Sequence, residues 1–370
     1  MKNILLFIFI SCISLANTFA QLPAAAQRLY DSAWAQDSNI VNFALNHNVQ
    51  VIATPDGNSF YLQWFPNGST PSTIPLITTL HGSNGNAFME FFSWYPRANV
   101  HSCGIVALQW YRYRPTPPYD YFPDDTIYSY FDSALTKINY PSGKVLLHGF
   151  SRGSARSYAI VFKDIQSGKN YFCTTMSNSG GADSAYPLYA QINAGVYGTN
   201  VFAGKRWNMF CGGQDPNPNQ SGCPGMSNTQ TWLQNLGAAV DIFIQDANLG
   251  HNGFQLQSSF TYKDSILNNY LQCFNSTSVS EEQNKTSVSV FPNPSDGKFQ
   301  VISSKSQILS IEIYNVYGEN IYDSDLTLAP SPSGEGWGEV MDLSKQPSGI
   351  YFLQIKTKQG VERKKIIISK

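Results

Sequence analysis

Charged residues are scarce. Lys, Arg, Asp and Glu make up 13% of the 370 residues, against roughly 25% in an average soluble domain. The 24 basic and 25 acidic side chains leave a formal charge of −1, and neither sign gathers into a tail. A nucleic-acid binder carries a basic surplus, so that class is excluded. Metal-ligand spacings are missing too. The chain has no C-x-x-C and no H-E-x-x-H, so neither a metal nor another cofactor is expected. Beyond the N-terminus no apolar run is long enough to span a bilayer. What is there is 42% apolar and 14% aromatic content, enough to bury a core. The length suits two domains better than one.

Lys2 precedes an apolar run from Ile4 to Ile10, and Thr18-Phe19-Ala20 sets small residues at a signal-peptidase site. This pattern predicts a secretory signal over residues 1–20, so the mature chain starts near Gln21. It keeps Cys103, Cys173, Cys211, Cys223 and Cys273. Cysteines pair in an oxidising compartment, and an odd count leaves a thiol over. Cys211 and Cys223 enclose a loop rich in Pro, Asn and Gly with little core of its own, and are expected to cross-link. Of the others, Cys103 with Cys273 is the expected pair, which leaves Cys173 as a buried thiol.

Between residues 21 and 275, short apolar runs alternate with amphipathic ones. Val49–Ala53, Ser59–Phe65, Leu76–Leu80, Gly104–Trp110, Lys144–His148, Phe172–Met176, Trp207–Cys211 and Val240–Ile244 read as strands. Thr126–Ile138, Ser154–Asp164, Asn228–Leu236 and Ser258–Cys273 read as helices. Such alternation predicts an α/β domain with a mostly parallel sheet and helices on both faces. In these sheets, function gathers at the carboxyl ends of the strands.

One strand end carries Gly149-Phe150-Ser151-Arg152-Gly153. This is G-x-S-x-G in the context it requires: strand, sharp turn, helix. A Cβ at either glycine would collide with the neighbouring element, and the turn presents the serine hydroxyl. A nucleophilic serine needs a base, and the base needs an orienting acid. Of the five histidines, His251 follows the last strand, in the loop before the last helix. Asp215 follows the glycine turn after Trp207–Cys211 and is the first choice of acid. Asp183 is the second and Asp246 the third. The backbone N–H groups of Arg152 and Ser83, the latter in the His81-Gly82-Ser83 loop, are the expected oxyanion donors. His81 is expected to brace that loop rather than to titrate.

On these pieces, Leu80-His81-Gly82-Ser83, Gly149-Phe150-Ser151-Arg152-Gly153, Gly212-Gly213-Gln214-Asp215 and Gly250-His251, residues 50–275 resemble the α/β-hydrolase superfamily. The outline is closest to secreted esterases of the polyhydroxybutyrate-depolymerase and feruloyl-esterase type. Many of those have a second glycine after the elbow, where this chain has Ser154. The resemblance implies a serine hydrolase of carboxylic esters, with Ser151, Asp215 and His251 as the triad. Its substrate would be attached to a polysaccharide or belong to a polyester. A serine peptidase on the same fold and a non-catalytic surface binding protein are the alternatives. Trp110, Tyr111, Tyr113 and Tyr119 lie on a proline-stiffened loop at the same sheet edge. They are expected either to form a platform for a sugar or aromatic acyl group or to cover the domain's apolar edge.

A polar linker, 276–286, precedes seven short β-patterned runs: Ser287–Phe291, Lys298–Ile302, Ile308–Tyr314, Gly318–Tyr322, Glu339–Leu343, Gly349–Lys356 and Arg363–Ile368. They predict a small all-β, Ig-like sandwich over 287–370. Val290-Phe291-Pro292-Asn293-Pro294, Ile313-Tyr314-Asn315-Val316-Tyr317-Gly318, Ser348-Gly349-Ile350-Tyr351-Phe352-Leu353 and Lys364-Lys365-Ile366-Ile367-Ile368 resemble the type A C-terminal sorting domain of the type IX secretion system of Bacteroidetes. Leu328–Gly338 interrupts the usual spacing as a loop insertion. The resemblance implies that the type IX machinery is a partner. It also implies export through the periplasm of a Gram-negative bacterium, followed by release or surface attachment.

Overall fold

The computed structural model describes residues 21–113, 120–182, 187–275, 288–303, 307–325, 337–358 and 360–370. Chain contacts divide it near residue 277 into two units.

The first unit holds eight strands, β1 (Gln50–Ala53), β2 (Phe60–Trp64), β3 (Leu76–Leu80), β4 (Gly104–Leu108), β5 (Val145–Phe150), β6 (Phe172–Asn178), β7 (Arg206–Gly212) and β8 (Ala239–Asp246). They form one sheet in the order β1-β2-β4-β3-β5-β6-β7-β8. Only β2 runs against its neighbours; the pairs from β4 through β8 are all parallel. Every residue of β3 and β4 is buried, as in a sheet covered on both faces. The helices are α1 (Ala24–Gln36), α2 (Ser38–Asn46), α3 (Ala87–Val100), α4 (Asp124–Lys137), α5 (Arg152–Ser167), α6 (Pro187–Asn193), α7 (Cys223–Asn235) and α8 (Phe260–Asn275). Strand order reverses between β3 and β5. From β3 the chain steps outward to β4, then returns across to β5 and continues the other way. The crevice beyond the carboxyl ends of β3 and β5 is thus a topological switch point, where sheets of this kind bind ligands. This is an α/β-hydrolase-like arrangement.

α1, α2 and α3 were not expected from the sequence. Asp37 caps α2 by accepting the N–H groups of Asn39 and Ile40, at 3.0 and 3.2 Å. Asn86 caps α3 through Met89. α3 contains Pro96, a residue that ordinarily argues against a helix interior. Burial of Phe88, Phe91, Trp94 and Ala98 overrides it.

Cys211, in β7, pairs with Cys223, the first residue of α7, across a Cα separation of 5.0 Å. The remaining pairing differs from expectation: Cys173 bonds Cys273, with Cα atoms 6.3 Å apart. Cys103 is the free, buried thiol. The Tyr270 hydroxyl explains the exchange. It receives the Leu76 N–H at 2.7 Å and donates toward the Lys144 carbonyl at 2.6 Å, which anchors α8 across β3 and the start of β5. Further along α8, Cys273 then meets β6. Cys103 precedes β4, on the far side of β3.

The second unit is a pair of antiparallel sheets. One is β13-β10-β9, from β9 (Val288–Phe291), β10 (Lys298–Ser303) and β13 (Trp337–Asp342). The other is β12-β11-β14-β15, from β11 (Ile308–Tyr314), β12 (Asn320–Asp325), β14 (Gly349–Thr357) and β15 (Gly360–Ile368). They share one core, in which Val288, Phe299, Val301 and Met341 meet Ile311, Ile313, Leu353, Ile355 and Ile366. Alternate residues of β14 face this core, the period-2 pattern of a strand with one wet face. Asn293 stitches the Phe291–Pro294 motif to the last strand. Its side chain donates to the Lys365 carbonyl at 2.9 Å and accepts the Ile367 N–H at 2.8 Å.

Candidate active site

Ser151 sits between β5 and α5 with φ 53° and ψ −117°, a backbone state in which a non-glycine residue is strained. Neighbouring glycines make it possible. A Cβ at Gly149 would fall on the Gly153 backbone, and one at Gly153 on the Leu80 carbonyl. The Ser151 N–H donates to the Asn178 carbonyl at 2.8 Å, which pins the turn to the end of β6. Ser154, where many esterases of this outline have glycine, is buried. It donates to the Gly180 carbonyl at 2.6 Å, so its hydroxyl is satisfied.

The loop after β3 reaches the same point. A Cβ on Gly82 would lie 2.9 Å from the Phe150 ring and 3.2 Å from the Ser151 Cβ. His81 is buried at the root of this loop. Its Nδ1 donates to the Gly82 carbonyl at 2.9 Å, and its Nε2 receives the Trp110 N–H at 3.4 Å. Burial pulls its pKa down to about 4, so the ring is neutral and structural. Ser83 and Arg152 line one cavity with Ser151, of about 210 Å³. Arg152 is the first residue of α5, and the N–H groups of a helix's first turn have no partner within the helix.

Asp215 and His251 lie 36 positions apart and are brought together by their loops. The Gly213 N–H donates to the Asp246 carbonyl at 2.7 Å, and the Gln214 N–H to the Leu249 carbonyl at 2.9 Å. A Cβ on Gly212 would strike the Gly250 backbone. With the loops laced this closely, His251 Nδ1 stands 2.6 Å from Asp215 Oδ2, and its Nε2 2.8 Å from Ser151 Oγ. A carboxylate only accepts, so Nδ1 carries the proton and Nε2 accepts from the serine hydroxyl. The other oxygen of Asp215, Oδ1, receives the Asn217 N–H at 2.8 Å and the Ser221 hydroxyl at 2.9 Å. Asp246 is engaged elsewhere. The Tyr262 hydroxyl at 2.6 Å and the Asn248 N–H at 2.8 Å hold its carboxyl below the usual range. Asp183 lies outside the described residues.

The aromatic residues divide. Trp110 has no exposed surface; its indole donates to the His81 carbonyl at 3.1 Å. It therefore braces the loop and presents no face to a ligand, which fits the second of the two expectations for these aromatics, a covering role, and not the platform. Tyr111 and Tyr113 are half-buried, their ring centres 4.6 Å apart, and the Tyr113 hydroxyl donates to Gln36 at 3.1 Å. Tyr119 lies outside the described residues. Tyr121, which the sequence reading did not single out, carries the tighter contacts. Its hydroxyl receives the Asn84 N–H at 2.9 Å, and its ring centre lies 4.3 Å from the Arg152 guanidinium carbon. The only signal for it was its place in a run of aromatics. Ser221 was missed as well, since a serine in a polar loop carries no local signature.

Beside Gly82, Phe150 and Asn252 opens a second cavity of about 400 Å³, walled by Ile40, Met89 and Phe92.

Among solved structures, the chain is similar to a fungal esterase from Rhizomucor miehei at 12% identity, covering 67% of this chain and 91% of that one, with a TM-score of 0.47. It is similar to a carboxylesterase from Bacillus cereus at 15% identity, covering 64% and 99%, with a TM-score of 0.41. For a bacterial heroin esterase the values are 14%, 70%, 93% and 0.49. No curated protein matches the chain. Residues 289–369 match the family described as a secretion system C-terminal sorting domain. That domain is read by the type IX secretion machinery, so the chain is secreted or attached to the cell surface.

Proposed function

We propose that this chain is a secreted serine hydrolase of carboxylic esters. The observation that carries the reading is the unbroken hydrogen-bond chain from Ser151 Oγ through His251 to Asp215, at a strained elbow on the switch point of the sheet. In this reading Ser151 Oγ attacks the ester carbonyl carbon while its proton passes to His251 Nε2. The carbonyl oxygen becomes an oxyanion, met by the N–H groups of Arg152 and Ser83. Collapse breaks the bond to the alcohol oxygen, which leaves with the proton from His251. Water then attacks the acyl-serine, giving its proton to Nε2, and the acid departs as Ser151 recovers its hydrogen. Asp215 holds the imidazole tautomer and stabilises the imidazolium. The ester belongs to a polysaccharide or a polyester. The proposed division of the chain is a signal over 1–20, the catalytic domain over 21–275, a linker over 276–286 and the sorting domain over 287–370.

The test is a panel of nitrophenyl and feruloyl esters, acetylated xylan and short polyesters. Ser151→Ala and His251→Ala are expected to lose turnover by orders of magnitude with the fold intact, and Asp215→Asn by less. Full turnover in purified Ser151→Ala would overturn the reading.

A further inference from the structure

A groove of about 460 Å³ lies between α6 and α7, within the range of roughly 300–1,000 Å³ usual for small-ligand sites. Four carboxamides line it: Asn193, Asn219, Gln220 and Asn228. The half-buried Trp232 lies among them. No charged side chain lines it among the described residues. The groove adjoins the nucleophile's cavity. Gln220 lines both spaces, and the step from Gly181 to Ala182 passes from one lining to the other. That seam is fixed, because the Gly181 N–H donates to the Gln220 carbonyl at 3.1 Å and the Ala182 N–H to Thr229 Oγ1 at 3.0 Å.

We infer that this groove is a subsite for the neutral, hydroxyl-rich part of the ester substrate, a saccharide, held while its ester group lies at Ser151. The inference rests on the ester-hydrolase reading and decides between its two substrate classes. Carboxamides carry both N–H donors and an oxygen acceptor, the Asn193 oxygen also holding the Trp232 indole, which suits hydroxyl groups that both give and receive. A polyester backbone presents acceptors only and would offer no donor to the amide oxygens of Asn219 and Asn228. Trp232 supplies an apolar surface for the C–H side of a sugar ring. It is held rigidly: its indole N–H donates to Asn193 Oδ1 at 2.7 Å, and its ring meets Tyr189 edge-on at 5.6 Å. Without a cation in the lining, a neutral saccharide is preferred over a uronic acid.

Calorimetry on full-length Ser151→Ala tests this with cello-, xylo- and malto-tetraose, a galacturonic acid tetramer and a 3-hydroxybutyrate trimer. At least one neutral tetrasaccharide is expected to bind. Asn228→Ala, a change at an exposed position, should weaken it about fivefold, as loss of one neutral hydrogen bond does. Trp232→Phe should weaken it too. The proposal is overturned if no neutral tetrasaccharide saturates the protein, if neither variant changes the binding, or if either other oligomer binds more tightly. Hydrolysis of nitrophenyl acetate by the unmodified chain is assayed in parallel. Saccharide binding without hydrolysis removes the esterase reading and leaves the groove a saccharide site, whereas hydrolysis without saccharide binding removes the groove alone.

Discussion

The Ser221 hydroxyl donates to Asp215 Oδ1 at 2.9 Å while His251 takes Oδ2 at 2.6 Å. Each oxygen of this buried carboxylate is therefore held from a different direction, and its plane is set for His251. Ser221→Ala leaves Oδ1 with the Asn217 N–H alone. kcat is expected to fall about tenfold with KM nearly constant, because a positioning contact acts on the reacting geometry more than on substrate binding. Steady-state kinetics on a soluble nitrophenyl ester measures the split, and an unchanged kcat would show that the Asn217 N–H suffices.

Tyr121 connects the two proposed oxyanion donors, receiving the Asn84 N–H beside Ser83 and stacking under the Arg152 guanidinium. Tyr121→Phe removes the hydroxyl and keeps the ring. A fall in kcat of about tenfold is expected, with little change in KM or in melting temperature. A variant that instead raised KM at constant kcat would make Tyr121 a substrate contact.

His81 sets a pH dependence. Its folded pKa is about 4 against an ordinary 6.5, because burial disfavours the charged ring. Between those values the unfolded chain binds a proton that the folded chain does not, so stability rises with pH across that window. It is lost as pH falls from 6.5 towards 4, by up to about 3 kcal/mol. Urea unfolding at pH 7 and pH 4.5 reads the difference. His81→Asn should be less stable at pH 7 and less sensitive to acid, and an equal acid loss in the variant would assign the effect to another group.

Burial raises the Cys103 thiol to about 12, and Cys173 and Cys211 are bonded to Cys273 and Cys223. The native mature chain should expose no thiol to Ellman's reagent and, denatured without reductant, a single one. Cys103→Ala should remove that signal. Thiols that persist in the denatured variant would show that one of the two pairs does not form.

All eight strands of the first unit, and the elbow at Ser151, are legible in the sequence because their causes are local. An apolar run of five residues, a strand-ending glycine and a serine before a helical pattern are each fixed within a few positions. α3 is not legible. Pro96 and a dense set of aromatics conceal its period, and only packing onto the sheet overrides the local penalty. Chain order places Ser151, Asp215 and His251 after the ends of β5, β7 and β8. The hydrogen-bond distances among them follow from the loops that meet at Gly212 and Gly250. Trp110 reads the same in sequence whether it faces a ligand or the core, and its position against His81 decided for the core. Tertiary structure alone decided the partner of Cys273, because a cysteine pairs with whatever strand its helix crosses. The groove between α6 and α7 is likewise a product of packing: its four carboxamides come from three segments that no local pattern relates.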